Sequence, residues 1–145
     1  MTHAAQFTDA TIARAAMLAG NATMTLVSKK TGTRYTFKVR AAKDGKLHFV
    51  SLLTGSNNEN DFSYIGIIPQ DKRFRTTAKT AAPESAPVKG FGWAFSKLAA
   101  GEMPEALEVW HEGKCCKCGR KLTVPSSVAS GIGPECAAKM AGGGA

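Results

Sequence analysis

The tightest constraint on this chain is the placement of its four cysteines, Cys115, Cys116, Cys118 and Cys136, all of which fall between positions 115 and 136. Cys115 and Cys118 form a C-x-x-C, the spacing at which two thiolates of one tight turn can hold a single tetrahedral metal ion. Gly119 follows, and a glycine there lets backbone N–H groups turn toward the sulfurs, which stabilises thiolates. Cys136 comes directly after Gly133-Pro134-Glu135, which reads as a helix entry with Gly133 near the N-cap and Pro134 at the first helical position. A thiolate in a first helical turn is favoured by the helix dipole, so Cys136 suits a third ligand. For the fourth, His111 and Cys116 compete. Cys116 adjoins Cys115, and neighbours in a tight turn rarely both reach one metal. His111 arrives four residues earlier on the strand leading into the turn. The expected set is therefore His111, Cys115, Cys118 and Cys136 around Zn2+, with Cys116 spare. A redox pair or disulfides are the alternatives, but three cysteines within four residues make awkward disulfide partners. Four protein ligands leave no position for water, so the metal is expected to be structural.

The rest of the sequence predicts an α+β fold: an N-terminal helix plus an antiparallel β-meander, followed by a small treble-clef-like zinc module. Thr8-Asp9 caps an alanine-rich helix over 10–19 that ends at Gly20, with Ile12, Ala15, Ala16 and Ala19 on one face. From residue 23 the period becomes two. Strands are expected over 24–28, 34–40, 47–53 and 62–68, with Phe74 beginning a short last one. Asp44-Gly45 marks a hairpin turn. In the cleanest strand, Tyr35, Phe37 and Val39 point one way, and Arg34, Thr36, Lys38 and Arg40 the other. The polar stretch 54–61 reads as a solvated loop; its 57–61 portion is a candidate lip for a small polar ligand. Residues 76–90, rich in Thr, Ala, Pro and Ser, read as a linker. A helix over 91–100 is expected to present Phe91, Phe95 and Leu98 to a core. A strand over 106–110, a return strand over 122–124 and a turn or short helix from Pro125 complete the module, and 141–145 should fray. The expected division is thus a basic α/β-meander domain over 1–75, the linker over 76–90, and a helix plus zinc module over 91–145. So small a module would draw most of its folding free energy from zinc.

Charge points to a partner. The chain carries a formal net charge of +8. Residues 1–75 hold 11 Lys/Arg against 5 Asp/Glu, and 76–145 hold 8 against 6, so the excess sits away from the cysteines. Such a surplus suggests nucleic acid or another polyanion. The candidate phosphate-binding residues are Arg34, Lys38 and Arg40 on the outward face of one strand, flanked by Lys29, Lys30, Lys43 and Lys46. Lys114, Lys117, Arg120 and Lys121 join them around the cysteine knuckle. Residues two apart on a strand are about 6.8 Å apart, of the order of the phosphate spacing along a strand of nucleic acid. Tyr35, Tyr64, Phe62 and Trp110 are the aromatic candidates for stacking, Tyr35 being better placed for the core. The expected binder is phosphate-directed and of low sequence specificity, with single strands, duplex and RNA all open.

The C-terminal stretch also carries a resemblance. It runs His111-Glu112-Gly113-Lys114-Cys115, then Cys118-Gly119-Arg120-Lys121-Leu122-Thr123-Val124-Pro125-Ser126-Ser127, and finally Gly131-Ile132-Gly133-Pro134-Glu135-Cys136. This resembles a recurrent, uncharacterised module of small phage and prophage proteins with the pattern H-x-G-x-C-x-x-C-G-R-x-L-T-x-P-x-S and G-x-G-P-x-C. Similarity extends upstream through Thr31-Gly32, Thr54-Gly55 and Asp61-Phe62-Ser63-Tyr64. The resemblance implies a phage-type zinc protein; with reduced thiols and no secretory signal expected, its expected place is the cytoplasm of a bacterial host. It keeps His111, Cys115, Cys118 and Cys136 in register and leaves Cys116 outside, and it brings no established activity.

Other functions are weighed against this. A counter-defence or host-protein-interaction module could use Phe91, Trp93 and Trp110 as apolar anchors on a zinc scaffold. A small anionic nucleotide could bind the basic strand and the 57–61 loop. An enzyme is not expected. Zinc deaminases need His-x-Glu and Pro-Cys-x-x-Cys, whereas Glu112 directly follows His111 and no proline precedes the knuckle. A treble-clef nuclease would need further histidines near the finger, and only His3 and His48 remain. Gly131-Ile132-Gly133-Pro134 lacks the lysine and strand context of a phosphate loop. No apolar run approaches the roughly 18 residues of a membrane span, and no secretory signal is expected.

Overall fold

Alternation between apolar and polar side chains is clearest in one inner strand of the sheet. In β3 (Arg34–Ala41), Phe37 and Val39 are fully buried while Arg34 and Arg40 are exposed, the pattern of a strand with one dry and one wet face. The computed structural model describes residues 5–55, 61–70, 73–112, 114–119, 122, 125–133 and 136. Among them, β3 is joined by β1 (Ala5–Phe7), β2 (Asn21–Ser28), β4 (His48–Leu53), β5 (Phe62–Ile68) and β6 (Leu107–His111). All five strand pairs are antiparallel, in the order β1-β6-β2-β3-β4-β5. The helices are α1 (Ala10–Met17), α2 (Ala86–Ala99) and α3 (Pro125–Ser130).

The hairpin turns take the expected chemistry. Gly32 (φ 74°) closes the β2–β3 turn with its N–H on Ser28 O, and Gly45 (φ 70°) closes the β3–β4 turn. In the latter, Asp44 Oδ1 accepts from Lys46 N–H at 2.9 Å. Such left-handed positions suit glycine because no Cβ crowds the carbonyl.

Among the described residues, these three helices cover one face of the sheet. α2 sets Phe91 against Phe37 with ring centroids 4.8 Å apart, and Phe74 and Phe95 complete the aromatic cluster. α1 begins at Asp9, whose Oδ1 caps Ile12 N–H at 2.9 Å. Its end is tied to β4, where His48 Nε2–H donates to Leu18 O at 3.0 Å. α3 is tied to β6 through a hydrogen bond from His111 Nε2 to Val128 O. Core residues from the strands, α1 and α2 form one cluster, from Phe7 through Val109 to Cys136, with the partly buried Val128 of α3 packed against it.

Several expectations meet a different outcome. The buried face of α1 is Ala10, Ala13, Ala16 and Met17, while Ile12 is 44% exposed and Ala15 lies outside, so the helix is rotated from the expected Ile12, Ala15, Ala16, Ala19 face. Alanines allow close approach, and Met17 supplies the volume. α2 begins at Ala86, with Pro87 in its first turn, and Thr80 is buried with its hydroxyl donating to Ile65 O at 2.9 Å. The expected linker over 76–90 therefore contains part of a helix and a residue packed on β5. β6, from the expected zinc module, sits inside the sheet between β1 and β2. The expected boundaries at 75 and 91 run through a shared sheet and core. The expected last strand near Phe74 is a single bridge, Ile67 to Arg75. The rest of the expected return strand beyond Leu122, most of the 57–61 loop, the helix entry at Pro134-Glu135, and the tail lie outside the described residues.

Candidate metal centre and basic face

The metal centre is built on the turn that follows β6. Gly119, at φ 82°, donates its N–H to Cys115 O at 2.8 Å and closes the loop that brings Cys118 back beside Cys115. A Cβ at Gly119 would meet Asn21 Nδ2 at 3.5 Å, so the left-handed backbone, more than space, requires glycine. The neighbouring Cys116 laces this knuckle to the fold with its backbone. Its carbonyl accepts from Asn21 N–H at 2.7 Å, at the start of β2, and its N–H donates to Gly131 O at 2.8 Å, after α3. Gly131 (φ 74°) lies so close to β1 that a Cβ there would meet Phe7 Cζ at 2.8 Å.

The sulfurs of Cys115, Cys118 and Cys136 all lie within 4.8 Å of one another. Ligands about 2.3 Å from a tetrahedral zinc are separated by roughly 3.8 Å, so this donor set fits such an ion. All four cysteines are free thiols rather than disulfides; Cys115 and Cys136 are buried and Cys118 is exposed. Burial by itself pushes the Cys115 thiol up. Backbone N–H groups of Gly133, Cys118 and Lys117, together with the Cys118 side chain, overcome that and bring it down to about 7. The Lys117 N–H contact is 3.4 Å. Burial and hydrogen bonds to the other two sulfurs push Cys136 up to about 11. The hydrogen bonds to Cys115 thus favour a thiolate at one sulfur of the trio, and a cation would stabilise the loss of the remaining protons.

The other two candidates stand apart from the trio. Cys116 is 1% exposed and held up at about 12, first by burial and then by the charge on Cys115. His111, expected as the fourth ligand, does not join the sulfur group. The alternation of β6 turns it, with Leu107 and Val109, into the core. There it packs on Phe7 with ring centroids 5.2 Å apart and bonds Val128 O. Burial lowers its pKa, partly offset by the Val128 hydrogen bond.

The outer face of the sheet carries the strand cations. Arg34, Lys38 and Arg40 project from β3, Lys29 and Lys30 occupy the turn at one end, and Lys43 and Lys46 the turn at the other. Among the described residues none of these seven makes an ion pair. Lys114 and Lys117 are exposed on the knuckle, which abuts Asn21, the register partner of Arg40. Arg120 and Lys121 lie outside the described residues. Of the aromatic candidates, Tyr64, Phe62 and Trp110 share the outer face, and Tyr35 packs on the core. Phe49, missed from the sequence, is also on this face and is 45% exposed. Its neighbour His48 is buried instead. The only sequence signal was the parity of β4, in which either set of alternate residues is apolar enough to be the inner one.

Residues 106–141 match a family of unknown function, DUF6011. Comparison with curated proteins and with solved structures returns no match. Among the described residues, no helix is long and apolar enough to cross a membrane.

Proposed function

We propose that this chain is a non-enzymatic, zinc-holding protein that binds nucleic acid mainly through phosphate contacts. The observation that carries the reading is the sheet face opposite the helices, on which Arg34, Lys38 and Arg40 stand, among the described residues, without carboxylate partners between two lysine-bearing turns. Cys115, Cys118 and Cys136 are the proposed zinc ligands in a treble-clef-like layout. His111 is left out because its ring is committed to Phe7 and Val128. Three protein ligands leave a tetrahedral zinc one further position, so the proposed structural role rests on connectivity: the metal would tie the knuckle to Cys136 while Cys116 ties the same knuckle to β2, which fixes the Arg40 end of the basic face. The proposed setting is a phage-type protein in a bacterial cytoplasm, where thiols stay reduced.

The test is fluorescence anisotropy of the zinc-loaded protein with labelled single-stranded DNA, duplex DNA and RNA at about 50 and 200 mM salt. Several phosphate contacts predict at least a tenfold loss of affinity across that range. No binding to any of the three at low salt refutes the reading. A second reading, a docking site for a host protein, is favoured by one feature. Trp93 is 46% exposed at the rim of a cavity of about 500 Å³ between the β2–β3 turn and α2, lined by Leu26, Tyr35, Phe37 and Phe91. An apolar interface there would be insensitive to salt.

A further inference from the structure

Resting on the nucleic-acid reading, we infer that the outer face of β3, β4 and β5 is a stacking platform for single-stranded nucleic acid, with Phe49 and Tyr64 receiving bases. Strand register places a rail of cations beside a rail of aromatic rings. Arg40 pairs across to Phe49, Lys38 to Ser51 and then Tyr64, and Leu53 to Phe62. Directly paired residues point to the same face, so all of these share the outer surface. Phe62, two residues from Tyr64, already has the Lys38 ammonium 4.5 Å above its ring centroid. The two rails lie one to two strand spacings apart, or about 5–10 Å, which lets a phosphate sit on β3 while its base reaches β4 or β5. Phe49 and Tyr64 are diagonal neighbours at about 8 Å, a separation that successive unstacked bases can span.

Exposure and charge select the occupant. Phe49 is one of three large hydrophobic residues on the described surface with more than two-fifths of their area exposed, and it sits directly beside Arg40. A ring in that position gains more from a base than from water, since every base offers a π-face. Tyr64 is oriented by the hydrogen bond its hydroxyl shares with Thr77 Oγ1 at 2.8 Å, which holds its ring at the sheet edge. Glu108, a carboxylate on a described strand of this face, is on the far side of β2, bonded to Trp110 Nε1 at 2.9 Å. That places the platform on the β4–β5 half. A duplex is disfavoured on geometry: the major groove, about 12 Å wide, admits a helix or a two-stranded ribbon but not the flat of a six-stranded sheet. Bases of a duplex are also stacked inside and out of reach of Phe49. Single strands present theirs to aromatic side chains.

The experiment titrates the full, zinc-loaded chain and its Phe49→Ala, Phe49→Trp and Arg40→Ala variants against three labelled probes. These are oligothymidylate and oligouridylate of about 15 nucleotides, and a mixed-sequence duplex of the same length. The expected result is tighter binding of one or both single strands than of duplex. Phe49→Ala should weaken single-strand binding about tenfold and leave duplex binding unchanged. Phe49→Trp should restore it, and Arg40→Ala should weaken every probe. Unchanged melting temperatures would show that the variants fold. Duplex bound as tightly as single strands, with Phe49→Ala inert and Arg40→Ala still weakening all probes, overturns the platform while the phosphate reading stands. No binding to any probe at low salt overturns both.

Discussion

Replacing His111 with alanine separates a core histidine from a metal ligand. The ring is 1% exposed, packs on Phe7 and bonds the Val128 carbonyl at 2.5 Å, on a strand flanked by β1 and β2. Truncation leaves a cavity under α3, at a cost of about 2 kcal/mol for a site that collapses only in part. It also strips Val128 O of its donor in a buried place, at about 1 kcal/mol more. The combined loss of about 3 kcal/mol should lower the melting temperature of a chain this size by roughly 10 °C. The assay is thermal unfolding of the zinc-loaded variant by circular dichroism, with zinc per chain measured by elemental analysis well below the transition. Loss of thermal stability with full retention of zinc is expected. A folded variant depleted of zinc would refute the reasoning and return His111 to the ligand set.

Three further predictions follow from the packing. Gly66→Ala should destabilise the chain by about 2 kcal/mol or more, read as a lower urea midpoint, because its Cβ would run into the Arg75 carbonyl and the Phe74 ring. Cys116→Ser should keep one zinc per chain while costing about 1–2 kcal/mol for a hydroxyl in a dry site; loss of metal would make Cys116 a ligand. Because burial lowers the His111 pKa below 6.5, its contribution to stability is complete above that value and is lost as pH falls through it, since the unfolded chain then takes up a proton the fold resists. Urea midpoints of the zinc-loaded protein and of His111→Gln, compared at about pH 7.5 and 5.5, should show the steeper loss in the parent chain; parallel losses would refute this linkage.

The cysteine trio was legible before any coordinates because ligand geometry is local. A C-x-x-C-Gly turn brings Cys115 and Cys118 together by its own backbone, and the left-handed glycine after it is a sequence-level mark. The β3 face was legible for the same reason: alternation is a property of eight consecutive residues. Their hairpin turns carry Gly32 and Gly45 where the chain must enter the left-handed region.

What tertiary structure decided depended on partners distant in the chain. β1 is only three residues long, too short for a periodic signal, and exists because β6 offers it an edge more than a hundred residues away. The side of β4 that faces inward is the one paired with Val39 and Phe37 of β3, and the buried His48 on it is satisfied by Leu18 O, which accepts from its ring. That choice sends Phe49 outward beside Arg40. The same logic packs the His111 ring into the core, since Phe7 and Val128 reach it only once β6 lies between β1 and β2. Local spacing determined where thiols and cations could gather. Long-range pairing determined which rings stand among them, because strand parity fixes only that neighbours oppose, and the burial of one face by helices chooses which.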